Sequence, residues 1–154
     1  MSIIENMKQH PLYVLGLGNP GPEYAKTRHN AGWNAVTRFS DEHDFPPFEE
    51  DKYLQALVSM GTVGKTNVKE ILPSTFMNKS GVAAKNLKLK SKKQIAESVV
   101  IVHDDLDLPI GSIKIVKNRG SAGHKGVESI IRALGTCDFT RVRIGIAKPA
   151  HLKK

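Results

Sequence analysis

Polar side chains that can take part in acid–base chemistry follow the predicted strands and open the predicted helices. Asn19 follows the first predicted strand, His29 lies where the first helix opens, and Asn78 precedes a basic helix. Asp104 follows the second predicted strand, and His124 precedes the most regular helix. Together they offer a histidine base, a carboxylate to orient it and amides that can donate to an oxyanion. This set predicts hydrolysis by an activated water.

Each of these side chains also has a structural interpretation. Asn19 could fix the turn before Pro20, Asn78 could cap a helix, and the acids could pair with nearby lysines. A serine nucleophile is disfavoured because there is no G-x-S-x-G turn, and Cys137, the only cysteine, has no histidine beside it in the sequence. Histidine and aspartate could hold a metal ion, although no H-E-x-x-H or comparable spacing occurs.

Two phosphate-binding motifs are only partly matched. Gly16-Leu-Gly-Asn-Pro-Gly21 satisfies the G-x-G-x-x-G dinucleotide fingerprint, but Pro20 removes an N–H from the stretch that would hold phosphate. Ser59-Met-Gly-Thr-Val-Gly-Lys-Thr66 resembles G-x-x-x-x-G-K-[ST], yet serine replaces the first glycine, and a hairpin is predicted where the motif needs a strand followed by a helix. We therefore expect neither dinucleotide binding nor nucleotide hydrolysis.

Hydrophobic periodicity defines the elements that would position these side chains. In chain order we predict a strand at 12–15, a helix with Trp33, Val36 and Phe39 on its buried side, a hairpin of 53–60 and 68–72 around a turn at 61–64, a basic helix at 78–90, a strand at 98–102, a half-buried strand containing Ile113 and Ile115, a helix at 125–134 and a strand at 142–146. Strands interleaved with helices indicate a three-layer α/β domain, and the hairpin makes its sheet mixed.

Size and charge restrict the class of protein. A chain of 154 residues and 16.9 kDa fits one domain, so we predict a single domain over residues 1–154. The net charge is +8, and the excess lies from residue 111 onward, which favours a polyanionic partner. A solvated, solubilising surface explains this charge equally well.

Apolar runs and the amino-terminal residues indicate the compartment. No apolar run approaches the roughly 18–20 residues that span a bilayer. The first ten residues lack the basic and apolar regions of a signal peptide, and a single cysteine suits a reducing environment. We predict a cytoplasmic protein without a membrane span.

Five blocks of sequence, taken in order, carry a family resemblance. They are Gly16–Trp33 (GLGNPGPEYAKTRHNAGW), Thr75–Gly81 (TFMNKSG), His103–Pro109 (HDDLDLP), Gly120–His124 (GSAGH) and Arg141–Ile146 (RVRIGI). With these blocks the chain resembles the bacterial-type peptidyl-tRNA hydrolases. The resemblance covers residues 11–149, and its first block is long and specific.

The resemblance implies a monomeric α/β domain with a mixed, twisted sheet between helices, which cleaves the ester joining a peptide to the terminal ribose of tRNA. It implies no metal and no organic cofactor. By matching positions, His29 is the general base, Asp104 orients it, and Asn19 and Asn78 position the peptide and water or polarise the ester carbonyl. The substrate-binding candidates are Tyr24, Met77, Asn78, Lys114, Lys125 and Arg143.

The chain departs from the family pattern at two places. Lys125 follows His124 where the family usually has asparagine, so a cation that could reach phosphate replaces an amide. Family members usually continue beyond the position of Pro149 through a lid segment and a carboxyl-terminal helix, which we expect this chain to lack. An alternative function is therefore a non-catalytic RNA-binding protein on the same scaffold.

Overall fold

One seven-stranded sheet organises the part of the chain, residues 10–152, that the computed structural model describes. Its strands are β1 (Leu12–Gly16), β2 (Glu49–Asp51), β3 (Ala56–Val63), β4 (Thr66–Pro73), β5 (Val99–Pro109), β6 (Ile113–Lys117) and β7 (Thr140–Ala147). They lie in the order β2-β3-β4-β1-β5-β7-β6. The predicted lack of a targeting signal concerns residues 1–9, which lie outside the described residues.

Helices cover both faces of this sheet. They are α1 (Ala31–Glu42), α2 (Gly81–Asn86), α3 (Lys92–Ser98) and α4 (Lys125–Leu134), with 3-10 helices at Arg28–Asn30, Met77–Lys79 and Pro149–His151. On one face, Val36 of α1 packs against Leu72 and Val102. On the other, α2, α3 and α4 pack apolar side chains around Leu15 and Ile101. The prediction of a three-layer α/β fold with a mixed sheet is confirmed.

The four central strands, β4, β1, β5 and β7, run parallel. Their carboxyl ends therefore meet at one edge of the sheet, where open α/β sheets commonly bind ligands. β2, β3 and β6 run antiparallel to their neighbours at the two sides. The predicted hairpin is β3–β4, but its turn is at Gly64 and Lys65 instead of 61–64, because Gly64 adopts the φ of 61° that a two-residue turn requires.

Two predicted elements differ most in length from the structure. β5 does not end at 102 but continues to Pro109, because it pairs with β7 as far as Asp105 and again at Pro109. The basic helix predicted at 78–90 is instead the 3-10 helix Met77–Lys79 followed by the short helix α2. The helical path ends there because Lys88 has a φ of 52°, outside the helical region.

Two predictions of buried apolar side chains are wrong. Ile113 and Ile115 of β6 are 67% and 69% exposed, because β6 is an edge strand and α1 packs nearer the centre of the sheet. Phe39 of α1 is also exposed and stacks on the His43 ring, although Val36 is buried as predicted.

A close approach at Gly32 fixes α1 on the sheet. A Cβ atom at this position would lie 2.1 Å from the carbonyl oxygen of Val102, which no side chain tolerates without a shift of the backbone. The next residue, Trp33, donates its N–H to the Leu17 carbonyl at 3.0 Å. The start of α1 therefore lies directly against Leu17, just after β1, and against Val102 in β5.

Candidate active site

The carboxyl edge of the parallel strands gathers the predicted catalytic residues. Asn19 follows β1, Asn78 follows β4 in the 3-10 helix Met77–Lys79, and Asp104 lies within β5 near this edge. His29 belongs to the 3-10 helix Arg28–Asn30 that leads into α1. Four different segments of the chain therefore bring these side chains to the same edge of the sheet.

His29 and Asp104 form a hydrogen-bonded pair. His29 Nδ1 lies 2.9 Å from Asp104 Oδ2. The His29 side chain is 58% exposed, whereas the Asp104 side chain is only 7% exposed. The Arg28 guanidinium donates to the Ile146 carbonyl at 3.2 Å, which attaches the same 3-10 helix to β7. The imidazole is thus held at one nitrogen and open to solvent on the rest of its ring.

Asp104 has a second histidine partner. His124 Nε2 lies 2.7 Å from Asp104 Oδ1, so each carboxylate oxygen contacts one imidazole. Burial by itself would raise the pKa of Asp104. Hydrogen bonding and charge from His124, followed by those from His29, outweigh burial and hold that pKa below its usual value. The carboxyl group is therefore ionised across the neutral pH range.

Asn19 is fixed through its backbone and through one side-chain atom. Its N–H and C=O bond to the side-chain amide of Asn30, at 2.9 and 3.0 Å. Its Oδ1 accepts the N–H of Met77 at 2.7 Å, which joins the β1 loop to the 3-10 helix of Asn78. The oxygen being occupied, the Nδ2 group of Asn19 is the side-chain donor left for a ligand. Asn78 itself is exposed.

An aromatic pair borders these amides. The rings of Tyr24 and Phe76 meet edge to face, with centroids 6.5 Å apart. Phe76 directly precedes Met77 and is largely exposed. Met77 is half-buried against the core, and a Cβ atom at Gly126 would lie 2.6 Å from its sulfur. The pair presents an exposed apolar edge beside the Asn19–Met77 contact.

The three predicted cationic contacts differ in how available they are. Lys114 on β6 is exposed and lies directly opposite Arg143 on β7. Arg143 is largely buried, and its Nε forms an ion pair with Asp105 Oδ2. Lys125 is exposed as the first residue of α4, next to His124. Among the described residues, no carboxylate pairs with the ammonium groups of Lys114 and Lys125, whereas Arg143 is paired with Asp105.

A second buried polar pair lies behind Asp104. His103 donates from Nδ1 to the Asp104 carbonyl at 2.7 Å, and Arg141, only 4% exposed, lies 3.5 Å from its Nε2. The pKa of His103 is lowered to about 4, first by burial and then by the charges of His124 and Arg141. The neutral His103 ring is enclosed and therefore fixes the backbone of β5 without reaching solvent.

Groups of three or more histidine, cysteine, aspartate or glutamate side chains arranged to hold a metal ion are not found among residues 10–152. In the same part of the chain, every helix is too short or too polar to cross a bilayer.

Comparison with known proteins places this geometry in a family. The family model described as peptidyl-tRNA hydrolase matches residues 13–154. The chain belongs to the peptidyl-tRNA hydrolase family. The peptidyl-tRNA hydrolase of Thermodesulfovibrio yellowstonii is 44% identical over 138 residues, which are 89% of this chain and 72% of that protein. That of Hydrogenobaculum sp. is 45% identical over 139 residues, with 89% and 70% covered.

Solved structures of the family agree with the fold. The crystal structure of peptidyl-tRNA hydrolase from Acinetobacter baumannii superposes with a TM-score of 0.81 at 35% identity. The superposition covers 90% of this chain and 69% of that structure. The family resemblance proposed from the five sequence blocks is therefore confirmed.

Sequence reasoning missed three residues of this site. His124 is not among the predicted catalytic or substrate-binding residues, although its place directly before an amphipathic helix is a signal for capping. Asn30 is buried and holds Asn19, and nothing in its local sequence distinguishes it from a helix-opening polar residue. Phe76 is also absent from the predicted site, although its place directly before Met77, a predicted substrate contact, is a signal for such a role.

Proposed function

We propose that this chain hydrolyses the ester bond between peptide and tRNA in peptidyl-tRNA, with His29 as the general base. The observation that carries the proposal is the pair of His29 and Asp104, in which a buried carboxylate holds Nδ1 of an exposed imidazole at 2.9 Å. A carboxylate in this position favours a proton on Nδ1 and leaves Nε2 with its lone pair toward solvent. Family membership supports the same substrate and reaction.

The reaction then proceeds through a tetrahedral intermediate. His29 Nε2 takes a proton from water as the water oxygen bonds to the ester carbonyl carbon, and Asp104 stabilises the imidazolium that forms. The Nδ2 group of Asn19 and the exposed amide of Asn78 donate to the developing oxyanion or orient the peptide. Collapse breaks the bond to the ribose oxygen, which receives the proton from His29. The products are a tRNA hydroxyl and a peptide carboxylic acid, which ionises by releasing the second proton of the water to solvent.

The remaining candidates bind the substrate. Lys114 and Lys125 are exposed cations able to contact the phosphates of the acceptor end, and the Tyr24–Phe76 edge suits the terminal base or the peptide. Arg143 forms an ion pair with Asp105, so in this arrangement its contribution to substrate binding is to hold that carboxylate in place. The catalytic steps need no metal or organic cofactor. We further propose that the chain works as a monomeric single domain in the cytoplasm, where translation supplies peptidyl-tRNA.

The test is release of peptide from a purified peptidyl-tRNA. His29→Ala is expected to lower kcat by about 10²–10⁴, the usual contribution of a general base. His43→Ala provides a matched control, because His43 is an exposed histidine at the end of α1 that contacts Phe39. An unchanged rate in His29→Ala would refute the base assignment. Binding of tRNA without hydrolysis by the wild-type chain would refute the enzyme and support the RNA-binding alternative.

A further inference from the structure

Contacts on both sides of the His124 ring determine which of its nitrogens carries the proton. His124 precedes α4, and its Nδ1 accepts the backbone N–H groups of Gly126 and Val127 at 3.1 and 3.2 Å. A nitrogen that accepts these bonds keeps its lone pair, so the proton of the neutral ring is on Nε2. His124 is therefore an N–H donor where it meets Asp104 Oδ1, at 2.7 Å.

The donor from His124 restricts the rotation of the Asp104 carboxylate. With Oδ1 bound to a ring that α4 holds, Oδ2 is left in one orientation, toward His29. The carboxyl group is almost fully buried, so water has little access to replace either partner. A buried carboxylate that lost this donor would retain an unsatisfied oxygen.

Gly126 provides the space that this arrangement requires. A Cβ atom there would lie 3.1 Å from Cε1 of the His124 ring and 2.6 Å from the Met77 sulfur. The glycine thus lets the first turn of α4 approach both the ring and the 3-10 helix of Asn78. One turn of helix thereby supports two parts of the site.

We propose that His124 is a positioning residue for the hydrolysis: α4 fixes its Nε2–H tautomer, and this donor holds the Asp104 carboxylate in the orientation that binds His29. The proposal rests on the proposed function for its effect on rate. Its structural part, the tautomer and the donor to Asp104, can be measured without substrate.

Other ionisable groups surround the same carboxyl. His103 and Asp105 flank it on β5, Arg141 approaches from β7, and His29 contacts it from the 3-10 helix before α1. Among the described residues, only the two imidazoles His29 and His124 bond to its oxygens. A change in the titration of Asp104 on substitution of His124 therefore reports the loss of one of two direct donors.

The variant His124→Asn separates positioning from helix capping. Asparagine is a good residue before a helix because its side-chain oxygen accepts the same backbone N–H groups, but it is too short to reach Asp104. We expect Asp104, followed by carboxyl-carbon NMR in the free protein, to titrate at higher pH than in the wild type. We expect kcat to fall about tenfold to a hundredfold, with KM changed by no more than about twofold.

Further variants and measurements make the test decisive. His124→Ala loses the cap as well and is expected to be less stable than His124→Asn, with the same effect on Asp104. His43→Asn is the control and leaves Asp104 unchanged. An Asp104 titration identical to that of the wild type in folded His124→Asn would overturn the proposal, as would ¹⁵N NMR of the wild-type ring that finds the proton on Nδ1. A wild-type chain without hydrolase activity would refute the proposed function and leave these NMR outcomes to decide the positioning contact.

Discussion

Replacing Asp104 by asparagine converts one of two hydrogen-bond acceptors into a donor while leaving the volume of the side chain almost unchanged. His124 can only donate to this position, because its Nδ1 already accepts two backbone N–H groups. The asparagine must therefore turn its oxygen toward His124 and its amino group toward His29. The Nδ1 of His29 then becomes an acceptor, and the proton of its neutral ring moves to Nε2.

The size of the effect follows from this change of tautomer. A His29 ring protonated at Nε2 has no lone pair to offer to water, and the imidazolium that would form loses its neighbouring negative charge. With His29 as the proposed general base, the variant is expected to lose the whole contribution of that base, about 10²–10⁴ in kcat, or roughly 3–5 kcal/mol of barrier. KM is expected to change little, because Asp104 is too buried to contact the substrate.

Single-turnover release of peptide from peptidyl-tRNA measures this loss directly. Asp107→Asn is the matched control, since it makes the same chemical change three residues further along β5 at an exposed side chain. Circular dichroism and urea denaturation establish that both variants are folded. If Asp104→Asn retained a rate close to that of Asp107→Asn, it would be refuted that Asp104 sets which nitrogen of His29 carries the proton.

Three other substitutions test the fold and the substrate contacts. Gly32→Ala places a Cβ atom 2.1 Å from the Val102 carbonyl and is expected to lower the free energy of unfolding by about 1–3 kcal/mol, measured by urea denaturation; an unchanged midpoint would contradict the close approach of α1. Burial raises the pKa of Glu70 and outweighs the opposing effect of the Ser40 hydroxyl, so the unfolded chain loses this proton at lower pH than the folded one. The free energy of unfolding of the wild type therefore falls as pH rises above the ordinary carboxyl range, and Glu70→Gln is expected to remove that fall. Parallel curves of unfolding free energy against pH for the two proteins would contradict a raised pKa at Glu70. Lys125→Asn is expected to weaken tRNA binding and to make the slope of log affinity against log salt shallower by about 0.7–0.9, the change for one lost phosphate contact. The control is Lys65→Asn in the distant β3–β4 turn. An equal slope in the two variants would exclude the phosphate contact.

Elements defined by local sequence were predicted well. The helix at 125–134 has the predicted bounds, because its apolar residues repeat at helical spacing and Gly135 ends it with a φ of 73°. The hairpin of β3 and β4 was also recognised, since two apolar runs flank a short glycine-containing turn. In both cases neighbouring residues contain the information that determines the structure.

Elements that depend on distant partners were predicted less well. β5 extends past 102 because β7, some forty residues later, pairs with it. The exposure of Ile113 and Ile115 depends on where α1 packs, which alternation within β6 cannot reveal. No element was predicted at Glu49–Asp51, because this short strand is defined only by its pairing with β3.

The candidate site was predicted through the family resemblance more than through spacing. The residues alone indicated a histidine, carboxylates and amides without deciding which histidine acts. The structure places His29 on Asp104, but it also places His124 on the other oxygen of the same carboxylate. That second contact could not be inferred from the sequence because it depends on how α4 is docked. The catalytic roles of these residues stay predictions until the variants are measured.

The attachment of Asp104 to both helical layers has a consequence for refolding. His29 reaches the carboxylate from the layer of α1, 75 residues away in sequence, and His124 reaches it from the layer of α4, 20 residues away. Closing the longer loop carries the greater entropic cost, so the nearer contact is expected to form first. An intermediate with only the α4 layer docked would have His124 bonded to Asp104 and to the first turn of α4, but would still lack the contact between His29 and Asp104. After dilution from denaturant, recovery of hydrolysis would therefore lag behind recovery of helical circular dichroism, and enzyme activity would report the last layer to dock.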